Sequence, residues 1–366
     1  MLQCSMNSSR AYIGNVRVAS VLAMCAKRAS VRAISTAKAL IYERNGDPAD
    51  VLQLKEQQMP EVGEQDAQIQ IIAAPINPSD INTVQGKYPL QPALPGVPGH
   101  EGVGRVVKVG SKVSSLAVGD HVVPLASALG TWRTAGVFKA ADWHKIPKDL
   151  PMAAAATLTI NPPTALCMLD NIVQLQPGDT IVQNGATSAV GRHVIQLARA
   201  KGLKTVNVIR DRPDWDAAVS WLQGMGADVV TTEQKLKADL ASSSLPAPKL
   251  ALNCIGGSSA AAIAKVLQAG GMHVTYGAMS MQPLAPPTAL LIFKDITFKG
   301  FWISGGWAKR AGPRAHAALL DQVVQHIQQG HLTPPQLQEF QLSQFAEALD
   351  ASSTAHKQHK VVFVPE

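Results

Sequence analysis

The chain has 366 residues, enough for two domains, and 46% of them are apolar and 16% charged, which excludes a disordered or fibrous protein. The formal net charge of +7 lies mostly at the N-terminus, and no basic patch of the kind that binds nucleic acid is found elsewhere. No apolar run approaches the roughly 18 residues that a membrane span needs.

The first 36 residues differ in composition from the rest. No Asp or Glu precedes Glu43, the segment is rich in Ser and Ala, and its basic residues are Arg10, Arg17, Lys27, Arg28 and Arg32. Such an N-terminus is typical of an organellar transit peptide, although an uncleaved basic tail would have the same composition. We predict a transit peptide over residues 1–36, removed near residues 33–36, which leaves a mature charge of about +2 (7 − 5).

Short strands bounded by Gly and Pro follow as far as about residue 150. Alternation of apolar residues predicts strands at the start of residues 37–46 and over 68–76. Apolar runs between glycines predict two more, at 101–110 and 119–125. With little helix between them, these strands predict a β-rich domain.

Strands and helices alternate beyond Pro162. The predicted strands are 180–184, 205–209, 228–231, 250–254, 272–276 and 296–302, with helical segments near 189–202, 213–225, 257–269 and 288–293. This alternation predicts a doubly wound parallel sheet. A further helix is predicted over 313–330, and residues 360–364 predict a terminal strand that returns to the first domain.

Residues 181–199 carry the most informative motif. An apolar run enters a loop of small residues and a helix follows, which is the layout of a nucleotide-binding turn. Arg210, Asp211 and Arg212 stand at the end of the next apolar run. A lone acidic residue there would bind a ribose 2′-hydroxyl, whereas arginines fit a 2′-phosphate. The sequence therefore predicts NADPH as the cofactor.

Several motifs, taken together in this order, resemble the medium-chain dehydrogenase/reductase superfamily and, within it, the zinc-free mitochondrial 2-enoyl thioester reductases. They lie at residues 76–88, 130–133, 161–162, 175–179, 210–214, 250–257, 275–279, 291–295 and 301–304. The resemblance covers residues 37–366 and implies an α/β fold. Residues 37–158 would form the first part of a GroES-like β-rich catalytic domain. A Rossmann NADPH-binding domain would be inserted at residues 159–304. Residues 305–366 would then return to the catalytic domain. It also implies a homodimer.

A zinc site has to be weighed because Pro98–Gly102 matches a motif in which zinc alcohol dehydrogenases supply a His ligand. A catalytic zinc needs three protein ligands. Asn77 stands where the first cysteine is expected, and Cys167 and Cys254 do not match the remaining position. We therefore predict no metal site, and His100 is interpreted as a hydrogen-bonding residue in a turn.

The resemblance implies NADPH-dependent reduction of trans-2-enoyl thioesters, carried on acyl carrier protein or coenzyme A, as the last step of an organellar fatty acid elongation cycle. The mitochondrial matrix is the implied location, with the plastid as the alternative. Hydride would reach Cβ, and Tyr88, at the position of the family's proton-donating tyrosine, would protonate Cα. A tyrosine, with an ordinary pKa of ~10, keeps its proton at neutral pH. Alternatively, Tyr88 is a loop aromatic that only closes the pocket.

The remaining candidate residues match cofactor-binding positions of the family. They are Asn161; Thr187, Ser188, Ala189 and Val190 in the phosphate loop; Arg210, Asp211 and Arg212; Tyr276, Gly277, Ala278 and Met279 beneath the nicotinamide; Phe301, Trp302, Ile303 and Ser304 beside it; and Lys360. Much of the superfamily has Gly at the position of Ala189, and alanine suits the turn if its φ stays negative. Other roles are open: helix capping for Asn161, a core position at a dimer edge for Trp302, solvation for Lys360 and an exposed strand end for the arginines.

Two other functions remain open at this point. A zinc-free NADPH quinone or enone oxidoreductase of the same superfamily would share the cofactor site without needing the Tyr88 proton. A non-catalytic NADPH-binding regulatory protein would need neither substrate nor Tyr88.

Overall fold

The computed structural model of the chain describes residues 34–354 and 358–365. The predicted transit peptide, residues 1–36, lies outside the described residues except for its last three. Ile34 already belongs to the fold, since its N–H donates to Oε1 of the buried Gln68 at 3.0 Å and its carbonyl accepts from Nε2 of Gln68 at 2.6 Å. Because these bonds satisfy a buried amide, we expect any removal of the leader to occur before Ile34.

The first part of the chain consists of short strands and three short helices. Its elements are β1 (Thr36–Ile41), α1 (Pro48–Val51), β2 (Gln53–Gln58), β3 (Asp66–Pro75), α2 (Pro78–Val84), β4 (Val103–Val109), β5 (His121–Pro124), β6 (Ala135–Lys139), β7 (Trp143–Ile146) and α3 (Met152–Ala156). The predicted strands are found, which confirms the β-rich domain. Helix α2 is not predicted by the apolar pattern. It starts after Asn77, whose N–H donates to the Asp80 carboxylate at 2.7 Å, and Pro78 occupies the first helical position.

The second part alternates strands and helices. Its elements are α4 (Asn161–Asp170), β8 (Thr180–Asn184), α5 (Ala189–Ala200), β9 (Lys204–Val208), α6 (Trp215–Met225), β10 (Val229–Thr231), α7 (Leu236–Ser242), β11 (Leu250–Asn253), α8 (Gly257–Lys265), β12 (Met272–Thr275), α9 (Thr288–Lys294) and β13 (Thr297–Gly300). All strand pairs are parallel, and the order is β10-β9-β8-β11-β12-β13. The predicted doubly wound sheet is confirmed. Its order reverses between β8 and β11, and ligands of such sheets bind beyond the strand ends at this switch point.

The last part of the chain returns to the first. A π-helical turn at Ile303–Trp307 leads into α10 (Ala308–Gln328), followed by β14 (Leu337–Gln341), α11 (Phe345–Ser353) and β15 (Lys360–Val364). Gly312, with φ of +82°, kinks α10, and the helix predicted over 313–330 is the piece that begins at Pro313. Strand β15 has the predicted bounds and pairs with β3, completing a sheet in the order β14-β15-β3-β4-β5-β7 with β6 beside β3.

The largest buried apolar cluster joins the two parts. It includes Val103 and Val123 from the first sheet, Leu166 of α4, Val194 of α5 and Leu320 of α10. A shared core of this kind holds the two parts in a defined arrangement. Side chains on either side of the cleft between the two parts are therefore fixed relative to one another. Within the described residues no helix combines the length and apolar character that a membrane crossing requires.

Candidate active site

The loop between β8 and α5 is packed too closely for larger residues. Gly185 has φ of +59°, and a Cβ at Gly191 would lie 2.7 Å from the Ala186 carbonyl oxygen. Ser188 caps α5 by accepting the Gly191 N–H at 3.1 Å, and Ala189, which does not have a positive φ, begins the helix. Thr187, Ala189 and Val190 thus present backbone N–H groups at the start of a 12-residue helix, as a diphosphate requires, whereas the Ser188 N–H donates to the Gly185 carbonyl at 2.9 Å.

The structure separates the two arginines after β9. Arg210 is exposed at the end of the strand. Arg212 is buried, and its Nε and Nη2 donate to the two Asp214 carboxylate oxygens at 2.6 Å each. Asp211 accepts the Arg212 N–H at 3.0 Å. The sequence analysis assigned both arginines to phosphate and missed the Arg212–Asp214 pair, although the Arg-x-Asp spacing was available to indicate it.

The loop of Tyr276, Gly277, Ala278 and Met279 packs against the end of β11. The N–H groups of Tyr276 and Met279 donate to the carbonyls of Asn253 and Cys254, both at 2.9 Å. Burial raises the pKa of Tyr276 well above its ordinary value, so its hydroxyl stays protonated. This buried hydroxyl interacts with the side chains of Cys254 and Ser188, so the loop is joined to the start of α5.

Tyr88 and Trp302 form a hydrogen-bonded pair across the cleft. Trp302 Nε1 donates to the Tyr88 hydroxyl at 2.7 Å, and their rings meet edge to face at 5.7 Å. His100 also contacts the Tyr88 ring in an edge-on arrangement, with the ring centroids 5.3 Å apart. Burial raises the pKa of Tyr88, the bond from Trp302 lowers it and the Asp80 charge raises it, with a net increase. Tyr88 is therefore a neutral acid whose oxygen has a fixed donor.

The indole of Trp302 owes its orientation to the turn that follows it. A Cβ at Gly305 would lie 2.0 Å from the ring, so any larger residue there would displace the indole. Phe301 and Ile303 are buried, whereas Trp302 and Ser304 are half-buried at the cleft. Trp302 thus contacts Tyr88 rather than being buried in the core.

His100 has the hydrogen-bonding role that the sequence predicts. The Ala128 N–H donates to Nδ1 at 3.2 Å, so Nε2 carries the proton and donates to Thr83 Oγ1 at 2.7 Å. The His100 backbone N–H donates to the buried Asp80 carboxylate at 2.9 Å. Across residues 34–354 and 358–365, no three His, Cys, Asp or Glu side chains are grouped as metal ligands.

Asn77 is the hub of a second buried network. Its Oδ1 accepts from Lys360 Nζ at 2.6 Å and from Asn161 Nδ2 at 3.3 Å, and its Nδ2 donates to Glu101 at 2.9 Å. Glu101 also accepts the N–H groups of Thr159 and Ile160, both at 2.9 Å, at the start of α4. Burial raises the pKa of Glu101, and the Lys360 charge opposes this.

This network bears on the open roles of Asn161 and Lys360, and it brings Asn77 and Glu101 into the candidate site. Asn161 does not cap α4, because its side chain is directed at Asn77 and makes no capping bond. Lys360 also donates to the Ile76 carbonyl at 2.8 Å, so it is held rather than merely solvated. The sequence analysis gave no role to Glu101 and considered Asn77 only as a missing zinc ligand. The Glu in the Gly-His-Glu-Gly motif was the one local signal for a role of Glu101. Its partners Asn77, Thr159 and Ile160 are distant in sequence, so the network itself could not be read from the motif.

Comparisons with known proteins agree with this geometry. Residues 63–148 match the family model "Alcohol dehydrogenase GroES-like domain", and residues 225–363 match "Zinc-binding dehydrogenase". The mitochondrial enoyl-[acyl-carrier-protein] reductase of Mus musculus is 47% identical over 321 residues, which cover 87% of this chain and 86% of that protein.

Two solved structures extend the similarity to three dimensions. The complex of Etr1p with NADP and crotonyl-CoA superimposes with a TM-score of 0.84 at 34% identity, covering 90% of this chain and all (100%) of that one. The mitochondrial 2-enoyl thioester reductase Etr1p/Etr2p heterodimer from Candida tropicalis gives a TM-score of 0.83 at 34% identity, with the same coverage of 90% and 100%.

Proposed function

Since the chain belongs to the mitochondrial enoyl-[acyl-carrier-protein] reductases of the medium-chain dehydrogenase/reductase superfamily, we propose that it reduces trans-2-enoyl thioesters with NADPH in mitochondria. The reaction saturates the double bond next to the thioester carbonyl. It would be the last reduction of the fatty acid elongation cycle in the matrix.

The Tyr88–Trp302 pair is the observation that carries this function. The chemistry that NADPH would supply when bound is hydride donation to Cβ of the substrate, which would leave negative charge on Cα and the thioester oxygen. Tyr88 holds a proton at its hydroxyl, and its raised pKa keeps the hydroxyl protonated until the proton is transferred to Cα. Trp302 Nε1–H then donates to the phenolate oxygen that remains, which eases the loss of the proton. A quinone reductase would not need this arrangement.

We assign the cofactor to the cleft beyond the strand ends. Thr187, Ser188, Ala189 and Val190 would hold the diphosphate, and exposed Arg210 the 2′-phosphate, with Arg212 and Asp211 bracing its loop. The nicotinamide would lie between the Tyr276–Met279 loop (residues 276–279) and residues 301–304, beside Asn161 and Lys360. The Asn77 network then sets the positions of Asn161 and Lys360 from both domains.

We propose acyl carrier protein as the natural donor, with coenzyme A thioesters as a soluble equivalent. The support is the name of the relatives, enoyl-[acyl-carrier-protein] reductase. A KM for trans-2-hexenoyl-acyl carrier protein well below that of the coenzyme A thioester is the expected result. Equal KM values would leave the carrier protein without a binding role.

We also propose a homodimer, formed at the free edge of the parallel sheet. Strand β13 is the last strand of that sheet and is largely exposed. Leu291, Ile292 and Phe293 on adjoining α9 are 45%, 65% and 81% exposed, which is unusual for large apolar side chains of a monomer. The dimeric assembly of the similar Etr1p/Etr2p structure supports the proposal.

Steady-state oxidation of NADPH tests the function directly. The chain from Ile34 onward would be assayed with trans-2-hexenoyl-CoA and, in parallel, with an ortho-quinone. We expect turnover of the thioester, with NADH a much poorer cofactor. Turnover of the quinone alone would move the chain to the quinone reductases. Cofactor binding without turnover of either would favour a regulatory protein.

A further inference from the structure

A cavity of about 200 Å³ runs from the cleft along the outer face of α5. One end is lined by Asn161, Ala189 and Lys360, which belong to the proposed cofactor site. The other end, here called the Arg192 groove, is lined by Arg192, His193, Gln196, Trp221 and Met225. Gln196 lies seven residues beyond Ala189, so the cavity extends about 10 Å along the helix from its N-terminal end.

The charged side chains that line this cavity are all positive. Arg192 and Lys360 are its ionised lining residues, and none of the described side chains that line it is acidic. The Arg192 guanidinium lies over the Trp221 ring at 5.2 Å, which holds it in place. Burial lowers the pKa of Arg192, which means that the charge is kept at a cost in solvation. An anion in the groove would offset that cost.

Hydrogen-bond donors in the groove lack strong acceptors. Arg192 Nε is buried without a partner among the described residues, and an Nη donates only to the Gln358 carbonyl, at 3.5 Å. His193 is 7% exposed, and its Nδ1 is also without a partner there. Gln196 Oε1 accepts the Thr333 N–H at 2.6 Å, which turns its NH2 group toward Met225 Sδ, a weak acceptor at 4.0 Å. Arg192 and Gln196, one turn apart on α5, therefore have donors to spare, and the His193 ring adds a third in the tautomer that carries its proton on Nδ1.

From these contacts we propose that the Arg192 groove binds a phosphate group. A carboxylate has two oxygens, whereas a phosphate has enough to accept from the Arg192 fork, the His193 ring and the Gln196 amide together. The phosphate comes either from the pantetheine arm that carries the thioester or from a free phosphate ligand. Its binding site is distinct from the diphosphate loop, because Arg192 stands at the end of the first turn of α5 and His193 and Gln196 follow that turn.

Calorimetric titration with inorganic phosphate tests the site. The full chain is saturated with NADP⁺, so that the diphosphate loop and Arg210 are occupied, and ionic strength is kept constant. We expect one phosphate per chain, and Arg192→Gln should weaken its binding by roughly tenfold or more. Arg199→Gln, on the same helix but outside the cavity, is the matched control and should leave binding unchanged. His193→Leu, which removes the ring donor, should also weaken binding.

Absence of phosphate binding to the unmodified chain, or equal binding by Arg192→Gln, would overturn the proposal. A parallel loss of NADPH affinity in Arg192→Gln would also overturn it, since Arg192 would then belong to the cofactor site. Thermal unfolding of each variant shows whether it is folded. If Arg192→Gln does not fold, His193→Leu decides by the same criterion.

A second arm, which rests on the proposed function, identifies the source of the phosphate. KM values are compared for trans-2-hexenoyl-CoA and for the N-acetylcysteamine thioester of the same acid, which lacks phosphate. If Arg192→Gln raises only the coenzyme A value, the carrier arm is the source. If both KM values are unchanged while phosphate binding is weakened, the ligand is a free phosphate. An equal rise for both contradicts a phosphate site. If the unmodified chain reduces neither thioester, the proposed function fails, and the titration with phosphate still stands by itself.

Discussion

Tyr88 accepts one hydrogen bond at its hydroxyl oxygen, and its ring contacts two aromatic side chains, those of Trp302 and His100. We predict that Tyr88→Phe lowers kcat by roughly 10²–10⁴-fold, the usual contribution of a general acid. NADPH affinity should be unchanged if Tyr88 acts on the substrate as proposed. Steady-state kinetics with trans-2-hexenoyl-CoA and a fluorescence titration with NADPH measure the two quantities.

The matched variant is Trp302→Phe, which keeps the ring but removes the Nε1 donor. It should lower kcat less than Tyr88→Phe and shift the alkaline limb of the pH profile upward. The sign follows because the bond from Trp302 lowers the pKa of Tyr88, so its loss raises that pKa further. Full activity of Tyr88→Phe would show that Tyr88 only closes the pocket.

Arg210 and Arg212 are two residues apart but have different surroundings. Arg210→Gln should reduce the preference for NADPH over NADH by roughly 10–100-fold, because a charged hydrogen bond to the 2′-phosphate is lost. Arg212→Gln should instead lower the melting temperature, since it leaves the half-exposed Asp214 without its bidentate partner. The kcat/KM ratio for the two cofactors and thermal unfolding separate these effects. An unchanged cofactor ratio in Arg210→Gln would remove Arg210 from the cofactor site.

At the scale of secondary structure, helix α5 meets β8 through a glycine. A Cβ at Gly191 would lie within 2.8 Å of backbone atoms of Ala186 and Gly185, which cannot move without shifting the phosphate loop. We predict that Gly191→Ala lowers the free energy of unfolding by about 1–3 kcal/mol and weakens NADPH binding.

Gly224 in α6 is the control for this prediction. It is also helical, and a Cβ there would have nothing within 4 Å. Gly224→Ala should therefore raise the free energy of unfolding by about 0.5–1 kcal/mol through helix propensity alone. Urea unfolding of both variants gives the comparison. Equal effects would mean that close packing at Gly191 is not what the loop depends on.

At the scale of the whole molecule, α9 with its exposed apolar side chains immediately precedes β13, the end strand of the parallel sheet. We predict that the chain sediments as a dimer and that Phe293→Glu shifts it to the monomer, because a charge would be buried in the interface. Met152→Glu is the control, since Met152 is also exposed, at 37%, but lies on α3 in the other domain. Sedimentation velocity of the three proteins decides. A Phe293→Glu variant that stays dimeric would place the interface elsewhere.

The sequence by itself determined the fold and the position of its main elements. Apolar periodicity and glycine placement are local properties, and strands β8 and β15 have the predicted bounds for that reason. The short helices α2, α7 and α11 were missed, although α2 carries a local start signal in Asn77, Pro78 and Asp80. The residues predicted to bind the cofactor and the role of Tyr88 remain predictions.

Only the tertiary structure decided which side chains meet. Tyr88 and Trp302 are 214 residues apart, and Lys360 and Asn77 are 283 apart, and neither pairing follows from a local pattern. The same holds for the cavity that contains the Arg192 groove, since its lining includes residues of α5, α6 and the C-terminal segment. A sequence pattern reports the periodicity of one segment, whereas hydrogen-bond partners and burial depend on how segments pack. That packing assigned Arg212 to Asp214, connected Asn161 to Asn77 and brought Trp302 to the hydroxyl of Tyr88.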